Sequence, residues 1–70
     1  MRLSARNVMK GTVVGLEKGA TTAHVRIDIG GGTVVTSSIT NQAVEDLGLA
    51  EGKTAYAVVK ASNVMVAVDD

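Results

Sequence analysis

Seventy residues are enough for one small core and leave no room for a second. With no Trp, no Phe, one Tyr and no Cys, neither large buried rings nor disulfides nor thiolate metal centres can reinforce that core. Seven basic residues against seven acidic ones exclude the overall positive charge of a nucleic-acid binder, while 46% hydrophobic content excludes a disordered tail.

In chain order, a β-prone stretch covers residues 9–17, with Val13, Val14 and Leu16, and stops at Lys18-Gly19. His24-Val25-Arg26-Ile27-Asp28-Ile29 alternates cleanly, which predicts a half-buried strand with Val25, Ile27 and Ile29 inside. Gly30-Gly31-Gly32 then leads into Thr33-Val34-Val35-Thr36-Ser37-Ser38-Ile39, so the two runs are expected to form a hairpin. Residues 41–47 carry Val44 and Leu47 at helical spacing, with Thr40 or Asn41 able to cap the start and Gly48 placed to end the helix. Glu51-Gly52-Lys53 turns the chain into a strand over residues 54–60, and Asn63 opens a last one in which Val64, Val66 and Val68 alternate with Met65 and Ala67. Five short strands with one short helix before the fourth predict an all-β fold, a small and partly open OB-like barrel. A small chain rich in Val and Ala and without staples is expected to finish its core by self-association, as a homo-oligomer.

Several chemistries fail on their requirements. The triple glycine precedes a strand, whereas a phosphate loop needs a helix N-terminus directly after it. His24 is the lone imidazole, so a metal centre would need symmetry-related copies, and an ordinary exposed histidine is the plainer reading. No nucleophile-elbow pattern occurs, and an enzyme is not expected. Single-strand-binding barrels use a basic groove and aromatic platforms, and Tyr56 alone supplies no platform, so no nucleic-acid partner is expected. No apolar run approaches membrane-spanning length, and the N-terminus lacks the apolar segment of a secretory signal. No membrane partner and a cytoplasmic location are therefore expected.

Charge distribution is more informative than the total. Arg2, Arg6 and Lys10 lie in the first ten residues with no acid among them, which suits a small anion better than a long polymer. Ser4-Ala5-Arg6-Asn7 and Lys60-Ala61-Ser62-Asn63 each combine a cation, a hydroxyl, a side-chain amide and small residues that let backbone N–H groups approach a ligand. A tetrahedral dianion offers only acceptors, so its site should consist of donors, with cations to compensate its charge. Residue chemistry alone leaves a second reading open, in which both segments are solvated strand ends.

At these residues the sequence resembles the molybdenum-pterin-binding or Mop family, the molbindins, whose TOBE-type domain recurs in molybdate transporters and molybdate-responsive regulators. The resemblance runs through Leu3-Ser4-Ala5-Arg6-Asn7, Lys10-Gly11, Gly30-Gly31-Gly32, Val44-Glu45-Asp46-Leu47-Gly48-Leu49, Gly52-Lys53 and Val59-Lys60-Ala61-Ser62-Asn63-Val64. It implies one OB-like domain over residues 1–70, assembled as a hexamer that is a trimer of dimers. It also implies molybdate or tungstate held at subunit interfaces by Ser4, Arg6 and Asn7 of one chain with Lys60, Ala61 and Ser62 of another. Ala61 could contribute only backbone. The family's second class of site, near the symmetry axis, has the stretch at residues 19–24 as its candidate, where Thr21, Thr22 and His24 could donate hydrogen bonds or simply be surface. The chain opens on Met with no transporter or DNA-binding segment attached, so a free-standing protein for molybdate storage or buffering is expected. An OB-type nucleic-acid module and a molybdopterin-carrying protein are the alternatives.

Overall fold

The computed structural model describes all of residues 1–70. The elements are β1 (Asn7–Lys18), β2 (Thr22–Gly30), β3 (Thr33–Thr40), α1 (Asn41–Asp46) and β4 (Thr54–Val59), followed by a single 3-10 turn at Ala61–Asn63. The four strands make one antiparallel sheet in the order β3-β2-β1-β4.

The twelve-residue β1 serves two partners in succession. Its first half, from Asn7 opposite Val59 to Thr12 opposite Thr54, pairs with β4. Its second half, from Thr12 opposite Asp28 to Lys18 opposite Ala23, pairs with β2. The change of partner needs a close approach at Gly11, where a Cβ would run into the Asp28 carbonyl oxygen and the Ile27 side chain. Just beyond it, Val13 pairs with Ile27 and Gly15 with Arg26, so Val14 is an extra residue, a β-bulge. Strict alternation would put Val13 and Leu16 on opposite faces; the bulge lets Val13 face Ile27 and Leu16 face Val25 on the same side. The sheet curls as a result, bringing β2 and β4 into contact although β1 lies between them. Inside the curl sit Val13, Ala23, Val25, Ile27, Val44 and Ala57, with Met9, Leu16, Ile29, Val35, Ile39 and Leu49 packed around them.

The β2–β3 connection is a two-residue turn with positive φ at both Gly31 (63°) and Gly32 (82°), the backbone that suits a right-handed hairpin twist. Asp28 Oδ1 accepts the Gly30 N–H at 2.8 Å. At α1, the Thr40 hydroxyl accepts the Ala43 N–H at 3.0 Å, so Thr40 rather than Asn41 is the N-cap. The helix ends with the Gly48 N–H on the Glu45 carbonyl and the Leu49 N–H on the Val44 carbonyl, both at 3.0 Å, and with φ of 61° at Gly48. This is a Schellman end, and Leu49 folds back towards the core beside Val44. No helix is long and apolar enough to cross a membrane.

One expectation is corrected. The chain forms four strands, not five: β4 ends at Val59, and Asn63 to Val68 is not a strand. Alternation marks a segment fit for a sheet, but a strand exists only where a neighbouring edge accepts its N–H and C=O groups, and no edge of its own chain meets this segment. The barrel is consequently open. β3 and β4 keep free outer edges, and between them lies an apolar groove of about 520 Å³ whose walls include Val25, Val35, Ile39, Ala55 and Ala57.

Gly11→Ala should lower stability by about 1–3 kcal/mol, because the added methyl meets backbone that cannot step aside. Urea unfolding followed by circular dichroism measures it; an unchanged midpoint would show that the β1–β2 approach has slack.

Candidate anion-binding site

Antiparallel pairing of Asn7 with Val59 places the residues before β1 next to those after β4. The two donor-bearing segments, remote in sequence, therefore emerge side by side at one end of the sheet. The Asn7 side-chain amide donates to the Val59 carbonyl at 3.3 Å and ties the two strand ends together. Beside this contact, Arg6, Asn7, Val8, Met9, Val59 and Val64 line a shallow pocket of about 350 Å³.

The second segment bends into its 3-10 turn immediately after Lys60. The turn is closed by the Asn63 N–H on the Lys60 carbonyl at 2.8 Å and the Val64 N–H on the Ala61 carbonyl at 3.3 Å. The N–H groups of Ala61 and Ser62 take no backbone partner, so they join the Ser62 hydroxyl as open donors. The cations at this end are also uncommitted. Lys18 pairs with Glu45 at 3.8 Å, Arg26 with Glu17 at 4.0 Å, and Lys53 donates to the Gly48 carbonyl at 2.9 Å. Arg2, Arg6, Lys10 and Lys60 enter no ion pair or side-chain hydrogen bond, and all four lie in the first ten residues or directly after β4. Donors and positive charge thus collect where a group made only of acceptors would be held.

One chain does not enclose the six residues. Arg6 and Asn7 line the pocket, whereas Ser4, Lys60, Ala61 and Ser62 stand exposed beside it. The pocket's apolar walls, Val8, Met9, Val59 and Val64, were not expected from sequence, because the pairing of β1 with β4 and the turn after Lys60 bring them together.

Thr21, Thr22 and His24 lie at the other end of β1. His24 is on the exposed face, opposite Glu17 on β1 and Ser38 on β3. The Thr22 carbonyl accepts the Gly19 N–H at 2.7 Å and the Thr21 carbonyl the Asn41 N–H at 2.9 Å. Asn41 also donates its side-chain amide to the Gly19 carbonyl at 3.0 Å, so it pins this turn, a role its sequence position did not suggest. No three His, Cys, Asp or Glu side chains gather as a metal-holding group.

Fold and donor set define a class: a small all-β protein whose curled sheet carries unpaired cations and open N–H donors at one end. The TOBE domain matches residues 3–66. A probable molybdenum-pterin-binding protein of Haemophilus influenzae is 52% identical over 69 residues, 99% of this chain and 100% of that protein. Among solved structures, MopII from Clostridium pasteurianum superposes with a TM-score of 0.89 at 49% identity, covering 96% of this chain and 100% of that one. The cytoplasmic molybdate-binding protein ModG, with molybdate bound, has a TM-score of 0.89 at 52% identity over 93% of this chain and 46% of its own. The chain belongs to the TOBE-domain family and, within it, to the molybdenum-pterin-binding proteins.

Asn7→Ala should loosen the junction between the strand ends at a cost of about 0.5–1.5 kcal/mol. Hydrogen exchange should then quicken over residues 7–9 and 57–59 while β2 and β3 keep their protection; uniform exchange would show that Asn7 does not tie the ends.

Proposed function

We propose that this protein binds molybdate, or its close analogue tungstate, for intracellular storage and homeostasis, without catalysing a reaction. The observation that carries this reading is the Asn7–Val59 register, which gathers the open donors and unpaired cations at one end of the sheet. The relatives support the choice of ion, since they are described as molybdenum-pterin-binding and molybdate-binding proteins. Ser4, Arg6, Asn7, Lys60 and Ser62 supply side-chain donors, and Ala61 supplies its backbone N–H. Because both segments share one end of each chain, a two-fold pairing of these ends gives each site one segment from each subunit. The assembly is a homo-hexamer, a trimer of dimers, with Thr21, Thr22 and His24 as the second class of site near its axis. Ligand bound between subunits stabilises the assembled state by mass action.

Calorimetric titration with molybdate, tungstate, sulfate and a short single-stranded oligonucleotide tests the reading. Arg6→Ala and Lys60→Ala should each weaken molybdate binding about 10- to 150-fold, the loss of a charge-assisted donor worth roughly 1.5–3 kcal/mol. Wild-type affinity in both variants with assembly intact would place the site elsewhere, and oligonucleotide binding without a molybdate response would sink the proposal. The relatives' name also favours a second reading, molybdenum carried on a pterin; pterin fluorescence in the purified protein would select it.

A further inference from the structure

We infer that Asn41 is a positioning residue for the proposed second class of site. It ties down the turn between β1 and β2 so that the turn offers an oxyanion hydrogen-bond donors and few acceptors. This role rests on the proposed anion binding at Thr21, Thr22 and His24, and goes beyond it by naming a residue that itself touches no ligand.

The turn joins Lys18, the last residue of β1, to Thr22, the first of β2. A tetrahedral dianion carries only acceptors, so a carbonyl oxygen aimed at it repels it, while an N–H or O–H holds it. Asn41 occupies two of the turn's carbonyls from outside the turn. Its backbone N–H donates to Thr21 at 2.9 Å, and its side-chain amide donates to Gly19 at 3.0 Å. The Gly19 N–H occupies the Thr22 carbonyl at 2.7 Å. Of the carbonyls at Gly19, Ala20, Thr21 and Thr22, only that of Ala20 stays open. The N–H groups of Ala20 and Thr21 and the hydroxyls of Thr21 and Thr22 have no partner within the chain, and these residues are exposed. The free polar groups of the turn are therefore mostly donors.

Two observations set Asn41 apart from a residue kept only for the fold. The start of α1 is already capped by Thr40, whose hydroxyl accepts the Ala43 N–H at 3.0 Å, so the helix does not need the Asn41 side chain. Asn41 Oδ1 is buried and accepts no hydrogen bond, a cost in stability that an apolar side chain of similar size would avoid. The amide is held for its donor. The other tie between α1 and this end of β1 is the Lys18–Glu45 pair at 3.8 Å, with side chains 46% and 65% exposed, and a surface pair of this kind fixes little. Fixing the turn falls to Asn41.

The full-length protein and its Thr22→Val, Asn41→Leu and Asn41→Asp variants are titrated calorimetrically with molybdate, and thermal unfolding is recorded for each without ligand. Thr22→Val removes a proposed ligand donor and so identifies the binding component that belongs to the turn. Asn41→Leu removes the amide at similar volume; Asn41→Asp sets an acceptor against the Gly19 carbonyl with little change of shape, and carries the test if Asn41→Leu does not fold. Both should weaken the Thr22-dependent component about three- to tenfold, as expected for the loss of one ordering hydrogen bond. The component that depends on Arg6 and Lys60 should stay unchanged. Asn41→Leu should melt no lower than the native protein, because it also removes the buried lone acceptor. A lower melting temperature with both components weakened in step would show a merely structural role and overturn the inference. Native binding in the Asn41 variants, with Thr22→Val still impaired, overturns the inference alone. No loss in Thr22→Val overturns the second class of site and the inference together.

Discussion

The molecule depends on one strand being shared between two neighbours. β1 lies against β4 for its first half and β2 for its second, and this double pairing creates both the curl around the core and the alignment of the chain's two donor segments. Gly11 permits the close approach and Val14 supplies the bend. If β1 continued alongside β2, residues 4–7 and 60–63 would have no reason to meet.

The core built on this arrangement is thin. Seven of 70 residues are buried, and none has a ring. Apolar surface instead remains open in the groove and along the C-terminal segment. A chain without disulfides or large side chains has little else with which to complete its interior.

What can be read from sequence follows how local each signal is. β2, β3 and the capped helix are legible because alternation, β-branched runs and the Thr40 and Gly48 signals act over a few residues. Local signals start β1 two residues late, at Met9, since Asn7 is held as strand by β4 and not by its neighbours in sequence. The alternation at residues 64–68 is legible as strand-forming chemistry, yet it does not say whose edge the segment would meet. The candidate donors are visible as residue types; their meeting at one end of the sheet is not, because register is a long-range property.

Val14 carries a further consequence. Removing it would leave Val13 opposite Ile27 and Gly15 opposite Arg26, so every pairing along β1 and β2 could persist as a regular ladder. Only the bend would be lost. Curvature in this strand is therefore written in the number of residues and pairing in their kind, and a one-residue deletion could leave the pattern readable while straightening the shape it serves.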